Sequence, residues 1–125
     1  MIVGIDHFVL TVASLEATLN FYERVLGMKR DIVAGRPASL LFGTQKINVH
    51  QFDQTFEPKA AFPMSGSGDF CLVTDWTIEA VLTRLAAEGV QVELGPVSRN
   101  GARGPMTSVY FRDPDGNLVE VSHYD

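Results

Sequence analysis

Two stretches with the apolar spacing of a helix each follow a short stretch typical of a strand. Residues 7–12 (HFVLTV) and 69–74 (DFCLVT) are rich in β-branched and aromatic residues, as strands are. The helical segments that follow carry apolar residues three to four positions apart. These are Leu15, Leu19, Tyr22 and Leu26 in the first copy and Ile78, Val81, Leu82 and Leu85 in the second.

The ends of both helices are marked by the same residue types at nearly constant spacing. Ser14 and Thr77 are hydroxyl residues suited to an N-cap. Gly27 and Gly89 are suited to the left-handed position that ends a helix. The strand and helix of the first copy therefore recur about 62 residues later, which indicates an internal repeat.

Three further strands are predicted after each helix. They span about 28–34, 38–43 and 46–52 in the first copy, and about 91–97, 106–112 and 117–123 in the second. The last two strands are joined by a tight turn, and DPDG at 113–116 has the Pro and Gly positions of a type I turn. Each half is thus β-α-β-β-β.

The predicted fold class is α+β. A half of about 55 residues cannot easily bury both faces of a sheet, so two modules are expected to form a curved mixed sheet that encloses a cavity, with helices outside. We expect one domain over 1–125, with module one at about 1–53 and module two at about 68–125. The SGSG-ended stretch of about 54–67 is expected to be a flexible linker.

Charge and composition exclude several classes of protein. The chain has 125 residues and a net charge of −5, without the basic stripe that nucleic-acid binding requires. No apolar run is long enough to cross a bilayer, so no membrane partner is expected. A single cysteine, Cys71, allows no internal disulfide and fits a cytoplasmic location. It is expected to be a small buried residue.

Strand alternation selects four polar residues for the face away from the helices. In the last strand Val119 faces the helix layer, so Glu120 faces the other side. Aligning Val49 with Val119 makes His50 the counterpart of Glu120. In the first strand of each half, His7 and Asp69 precede helix-facing phenylalanines and fall on that same polar face.

Each of these residues also has an ordinary structural explanation. A strand histidine such as His50 is commonly a hydrogen-bonded core or surface residue, Asp69 suits a turn, and Glu120 suits an exposed strand. Taken together, two imidazoles and two carboxylates on equivalent faces favour a site for a divalent metal, which would compensate the buried charge.

Residues near this set are candidates for substrate contact. Tyr110 is expected to point into the cavity, with packing as the alternative. Ser108 lies on the same strand face, and Phe52 and Ser122 extend the two ligand strands. Arg103 lies in the glycine-rich stretch 99–105, predicted to be a loop that either closes over an anionic substrate or leaves its arginines solvated.

Three segments resemble the vicinal oxygen chelate superfamily over essentially the whole chain. They are IDHFVLTV, SLEATLNFYERVLG and YFRDPDGNLVEV. The superfamily includes glyoxalase I, bleomycin- and fosfomycin-resistance proteins, extradiol dioxygenases and methylmalonyl-CoA epimerase. INVHQF and GARGPMTSVYFRDPDGN look most like glyoxalase-domain proteins labelled as related to biphenyl-2,3-diol dioxygenase. The resemblance implies the glyoxalase/bleomycin resistance/dihydroxybiphenyl dioxygenase-like fold.

The resemblance also implies one divalent metal ion (Fe, Mn, Ni, Co or Zn), held by His7, His50, Asp69 and Glu120. The order His, His, Asp, Glu departs from the His, Glu, His, Glu of bacterial-type glyoxalase I. Fosfomycin-resistance proteins and extradiol dioxygenases have histidine where Asp69 stands. Without Asp69, the other three would form a two-histidine, one-carboxylate site that suits Fe(II) oxygen chemistry as well as Lewis-acid chemistry.

The implied function is a metal-dependent enzyme for a small substrate with adjacent oxygens. The reaction would be enediolate stabilisation, as in a lyase or isomerase, or ring-cleaving oxygenation. Glu120 and Asp69 are the candidate proton-transfer residues, and the family implies a homodimer. The alternatives are a metal-free binding protein that sequesters its ligand, as bleomycin-resistance proteins do, and an interaction domain with a vestigial site.

Overall fold

Two βαβββ modules follow one another along the chain, and the computed structural model describes all 125 residues. The first contains β1 (His7–Val12), α1 (Leu15–Leu26), β2 (Lys29–Asp31), β3 (Ala38–Phe42) and β4 (Gln45–Gln51). The second contains β5 (Asp69–Val73), α2 (Ile78–Ala87), β6 (Leu94–Gly101), β7 (Gly104–Arg112) and β8 (Leu118–Tyr124). The predicted α+β class and element order are confirmed.

Both helices begin and end as their sequences predict. Ser14 Oγ accepts a hydrogen bond from the backbone N–H of Ala17 at 3.2 Å, and Thr77 Oγ1 accepts one from Ala80 at 3.2 Å. Gly27 ends α1 in the left-handed region at φ 68°. That conformation is unfavourable for residues with a Cβ, which is why glycine occupies the position.

Each module forms its own four-stranded sheet, in the order β1-β4-β3-β2 and β5-β8-β7-β6. The first strand of each module pairs with the last in parallel, and the other pairs are antiparallel. Side chains on the helix-facing side of each sheet form the core. They include Leu10, Val12, Leu40, Ile47 and Val49 with Leu19 in the first module, and Val109, Phe111, Val119 and Val121 with Leu85 in the second.

The chain divides into two compact units, Met1–Gly66 and Ser67–Asp125, called module 1 and module 2 below. The segment after β4, predicted as a linker, groups with module 1 by its contacts. It begins with a bridge between Gln51 and Gln54, in which the Gln54 N–H donates to the Gln51 carbonyl at 2.9 Å.

The prediction of a glycine-rich loop at 99–105 is wrong, because most of these residues lie in the two strands of a hairpin. β6 continues to Gly101 and β7 begins at Gly104, which leaves only residues 102 and 103, Arg103 among them, between the strands. A Cβ at Gly101 would collide with the Tyr124 hydroxyl and the Met106 sulfur. Glycine is therefore required here by close packing inside a strand.

The DPDGN segment is a turn that ties β8 to the start of β5. The Gly116 N–H donates to the Asp113 carbonyl at 3.0 Å, which closes the predicted turn. Buried Asn117 donates to the Asp113 carboxylate at 2.8 Å and accepts from the Gly68 N–H at 2.7 Å. Neither helix of the chain has the length and apolar character needed to span a membrane.

Candidate metal and substrate site

The polar face of module 1 is fixed by the pairing of β1 with β4. The register places His7 opposite Lys46, Val9 opposite Asn48, and Thr11 opposite His50. Because the pairs are two residues apart, all of these side chains lie on one face. His7 and His50 share that face but lie four residues apart in register, roughly 13 Å along the strands.

The corresponding face of module 2 is fixed by the pairing of β5 with β8. Asp69 lies opposite Leu118, Cys71 opposite Glu120, and Val73 opposite Ser122. Asp69 and Glu120 are therefore diagonal neighbours on adjacent strands. That arrangement brings two carboxylates to one face within side-chain reach of each other.

The two registers show that the predicted equivalence of His50 and Glu120 is wrong by two residues. Val9 matches Cys71 at the same spacing as Gly27 and Gly89, and their partners are Asn48 and Glu120. Asn48 is thus the counterpart of Glu120, whereas His50 is the counterpart of Ser122. Apolar residues recur every second position in both strands, so a shift of two keeps every residue on its face.

Glu120 is held by a chain of hydroxyl groups within module 2. The Ser122 hydroxyl donates to Glu120 Oε2 at 3.1 Å, and Ser108 Oγ lies 2.6 Å from Ser122 Oγ. Both serines are fully buried. They were predicted to contact substrate, which stays a prediction, and in the structure they form a hydrogen-bond chain that ends at the carboxylate.

Cys71 is exposed rather than buried, because it lies on the polar face of β5. Its sulfur is 3.1 Å from Ser122 Oγ. Desolvation raises the pKa of the thiol, and the charge of Glu120 raises it further, against an opposing effect of the Ser122 hydrogen bond. The neutral thiol is therefore favoured.

Asp69 begins β5 at a point fixed by backbone hydrogen bonds. The Leu118 N–H donates to the carbonyl of Gly68 at 2.9 Å, the residue directly before Asp69. The Asp69 charge contributes to the raised pKa of Arg112, after the larger effect of Glu93. Arg112 forms a bidentate ion pair with the Glu93 carboxylate, with N···O distances of 2.9 and 3.0 Å. Asp69 is not part of this ion pair.

His7 is oriented by its neighbour in the chain. Its Nδ1 lies 2.7 Å from the Asp6 carboxylate. An imidazole whose Nδ1 hydrogen bonds to a carboxylate presents Nε2 outward, and this is the common arrangement of histidines that bind metals. His7 therefore has the environment expected of a metal ligand.

His50 has a different environment. It is 3% exposed, and its Nδ1 is buried without a hydrogen-bond partner in the protein. The Phe56 ring packs on it with ring centroids 5.6 Å apart. Burial lowers the pKa of His50, and the positive charge of Lys59 lowers it further.

The remaining predicted substrate residues lie on or near these faces. Tyr110 pairs with Glu120 across β7 and β8, and its hydroxyl accepts from Arg99 Nε at 2.9 Å. The Arg103 guanidinium stacks 4.3 Å from the ring centroid of Tyr124. Phe52 is 62% exposed at the end of β4. Tyr124 was not predicted, although the alternation of β8 through Glu120 and Ser122 indicates its position.

The structure contains no group of three or more His, Cys, Asp or Glu side chains arranged to hold a metal ion. Module 1 contains a histidine supported by a carboxylate, and module 2 contains two neighbouring carboxylates on one sheet face.

The chain belongs to the glyoxalase/bleomycin resistance protein/dioxygenase superfamily, whose family model matches residues 4–121. It is 47% identical over 120 residues to virulence protein STM3117 of Salmonella typhimurium, covering 96% of this chain and 83% of that protein. The crystal structure of STM3117 superposes with a TM-score of 0.97, covering 100% of this chain and 99% of the other.

Two further relatives cover nearly the whole chain. Glyoxalase domain-containing protein RDO1 of Mycosarcoma maydis is 46% identical over 121 residues, covering 97% of this chain and 68% of that protein. Metallothiol transferase FosB of Shouchella clausii is 27% identical over 124 residues, covering 97% and 80%.

Proposed function

We propose that the chain is a metal-dependent enzyme that acts on a small substrate with two adjacent oxygen atoms. His7, Asp69 and Glu120 are the proposed metal ligands. When bound, a divalent cation supplies Lewis acidity to the paired substrate oxygens. The name of the FosB relative, a metallothiol transferase, supports a metal in this family.

The observation that carries the proposal is the setting of Glu120. Its carboxylate shares a sheet face with Asp69 and accepts a hydrogen bond from Ser122, which is itself fixed by buried Ser108. A buried hydroxyl pair that orients a carboxylate is the kind of support that a metal ligand requires. The pair of carboxylates also fits a cation, because neighbouring like charges repel unless a cation lies between them.

The donor set favours proton-transfer chemistry over oxygenation. His50 does not occupy the position that matches Glu120. The proposed donor set is therefore one imidazole and two carboxylates, whereas the facial triad of Fe(II) oxygenases has two histidines and one carboxylate. Oxygen-rich sets suit hard cations, so Mn is the preferred metal and Fe the next. The proposed reaction class is therefore of the lyase or isomerase type.

The residues have distinct proposed roles in that reaction. Asp69, which has no buried hydroxyl partner, accepts the proton from the substrate carbon next to the oxygens. Tyr110, opposite Glu120, orients a substrate oxygen with its hydroxyl held by Arg99. Phe52, exposed directly after β4, and Arg103, in the turn between β6 and β7, are proposed to contact the body of the substrate.

We further propose that the working form is a homodimer. Apolar residues stay exposed on the polar faces of the outer strands, with Val9 45% and Val73 57% exposed. Exposed apolar side chains beside a site indicate a surface that a ligand or a partner covers. Light scattering of the purified chain tests this, and a monomer at micromolar concentration would refute it.

The experiment that tests the enzyme proposal is metal analysis of tag-free protein after anaerobic reconstitution. We expect about one equivalent of metal per chain, lost in Glu120→Gln and retained in the control Glu79→Gln. Glu79 lies in the first turn of α2, away from the polar face, and loses the same charge. No metal in the parent, or retention in Glu120→Gln, would refute the site.

A metal-free binding protein is the second candidate function. The segment of module 1 after β4 exposes Phe52, Phe62 and Met64, which would suit an apolar ligand. This candidate requires neither His7 nor Glu120. A parent protein that binds no metal yet binds apolar ligands, with affinity unchanged by Glu120→Gln, would favour it.

A further inference from the structure

We propose that module 1 contains a binding site of its own for a small, neutral alcohol with an aromatic body. Thr11 and His50 hydrogen bond the hydroxyl group of this ligand, and Phe52 and Phe56 contact its ring. All four residues lie in module 1, and none of them is a proposed metal ligand. The site therefore does not depend on the proposed function.

The imidazole of His50 has an unmet hydrogen-bonding capacity. It is 3% exposed, and its Nδ1 is buried without a hydrogen-bond partner. Such an atom destabilises the folded protein and is rare in native structures unless a ligand or an ordered water binds it. The preceding residue on the same face, Asn48, is different, because its Oδ1 accepts from the Ser39 hydroxyl at 2.8 Å. The unmet capacity therefore belongs to the His50 end of this face.

A second polar group lies beside His50. The pairing of β1 with β4 places Thr11 directly opposite His50 on the same face, and Thr11 is also buried. Paired residues on neighbouring strands are about 4.8 Å apart, so one oxygen atom of a ligand is within reach of both side chains. A hydroxyl suits this position, because it donates one hydrogen bond and accepts another.

Two phenylalanines identify the body of the ligand as aromatic. Phe56 packs on the imidazole of His50, with ring centroids 5.6 Å apart. Phe52 directly follows β4, and its N–H donates to the Val12 carbonyl at 2.9 Å, so the strand alternation continues and Phe52 lies on the face of His50. Phe56 and Phe52 are 36% and 62% exposed. Aromatic side chains beside a few polar groups are typical of a pocket for a small, mostly apolar molecule.

The charges near His50 favour a neutral ligand. The positive charge of Lys59 lowers the pKa of His50, after the larger effect of burial, and a cationic ligand would meet the same repulsion. The Lys59 ammonium already donates to the Thr55 hydroxyl at 2.9 Å and lies 3.5 Å from the Glu57 carboxylate. A carboxylate bound at His50 would therefore be buried without a free cation beside it, which is costly.

The test is an NMR titration of the parent with benzyl alcohol, followed through the imidazole nitrogen signals. The chain has three histidines, and the spectrum of His50→Gln identifies the His50 signals by their absence. We expect a saturable shift of the Nδ1 signal of His50. His123, in module 2, is the internal control, and its signals should not move.

Two further probes define the ligand class. Toluene lacks the hydroxyl, and benzoate replaces it with a charge. We expect the parent to bind benzyl alcohol about 3- to 10-fold more tightly than toluene, which corresponds to one net hydrogen bond, and benzoate no more tightly than toluene. Thr11→Val keeps the shape of the side chain without its hydroxyl and should weaken this preference. The matched control Thr107→Val, in module 2, should keep it.

Three results would overturn the site and leave an ordered water as the partner of His50 Nδ1. They are no saturable shift at His50, equal affinity for benzyl alcohol and toluene, and an unchanged preference in Thr11→Val. Tighter binding of benzoate than of benzyl alcohol would overturn the neutral ligand class.

Glu120→Gln separates this site from the proposed function. That variant should lose metal yet bind benzyl alcohol as the parent does, and loss of benzyl alcohol binding in it would overturn the independence of the module 1 site. A parent without metal refutes the proposed function alone, because the titration at His50 does not require metal.

Discussion

The two modules share one backbone plan but carry different chemistry at matching positions. Module 1 has His7 where module 2 has Asp69, and Asn48 where module 2 has Glu120. The carboxylate of module 2 is oriented by buried serines, whereas the histidine of module 1 is oriented by a sequence neighbour. The repeat therefore conserves strand pairing and helix capping while the polar face diverges.

The same contrast appears where the last strand of each module meets its neighbour. In module 2, buried Asn117 accepts from the Gly68 N–H. Its counterpart in module 1 is Gln45, whose amide donates to the Ile5 carbonyl at 2.6 Å on an exposed surface. Module 2 thus relies on a buried polar network for a connection that module 1 makes at the surface.

The largest predicted effect comes from a substitution that disrupts this buried hydrogen-bond network. Asn117→Ala removes the side-chain acceptor of the Gly68 N–H and the amide donor to the Asp113 carboxylate. We expect the free energy of unfolding to fall by about 2–4 kcal/mol, since each unsatisfied buried group costs about 1–3 kcal/mol. The matched change Gln45→Ala should cost under about 1 kcal/mol. Urea unfolding of both variants checks this, and equal losses would contradict the contrast.

A smaller effect is predicted for the carboxylate that supports His7. Asp6→Ala removes the partner of His7 Nδ1, so the imidazole is no longer fixed in orientation. We expect metal affinity to fall about 10- to 100-fold, as for other carboxylates behind metal-binding histidines. The control is Asp53→Ala, an exposed aspartate in module 1 that bonds Gln51. Competition with a metal chelator measures both, and equal affinities would refute the role of Asp6.

The helices were predictable because their signals are local. A hydroxyl residue at Ser14 or Thr77 and a glycine after the last turn determine the ends within a few residues. The register of β4 was not predictable from the apolar pattern, because a two-residue shift leaves the pattern unchanged. The β6–β7 hairpin was missed because Gly101 is required by packing against Tyr124, distant in the chain.

The N-caps of α1 and α2 should contribute equally to the stability of the two modules. Ser14→Ala and Thr77→Ala each remove a side-chain acceptor for one backbone N–H. We expect each to lower the free energy of unfolding by about 1 kcal/mol. Chemical denaturation measures the two variants beside Ser14→Asp and Thr77→Asp, which keep an acceptor and should unfold close to the parent. A loss confined to one module would show that capping does not contribute equally.

The smallest predicted effect is the pH dependence that His50 gives to the stability of the fold. Ser122, its counterpart in module 2, does not titrate. Burial lowers the pKa of folded His50 below its usual 6.5, so the unfolded chain binds a proton first as the pH falls. The contribution of His50 to stability is therefore complete above pH 6.5 and declines below it. The contribution reaches its lower limit at pH values below the pKa of His50 in the folded state. Above that limit, the free energy of unfolding changes by at most about 1.4 kcal/mol per pH unit because of His50.

His50→Gln should remove this dependence. The difference in unfolding free energy between parent and variant should shrink as the pH falls from 8 to 5.5. Urea unfolding at several pH values measures it, and the subtraction cancels the titration of every group unaffected by the substitution. Ser122→Ala is the matched change in module 2, and because serine itself does not titrate, its difference from the parent should vary less over this range. A difference that grows with acidity in His50→Gln would mean that folding raises the pKa of His50, which would require a negative partner near Nδ1 in place of the apolar setting beside Phe56.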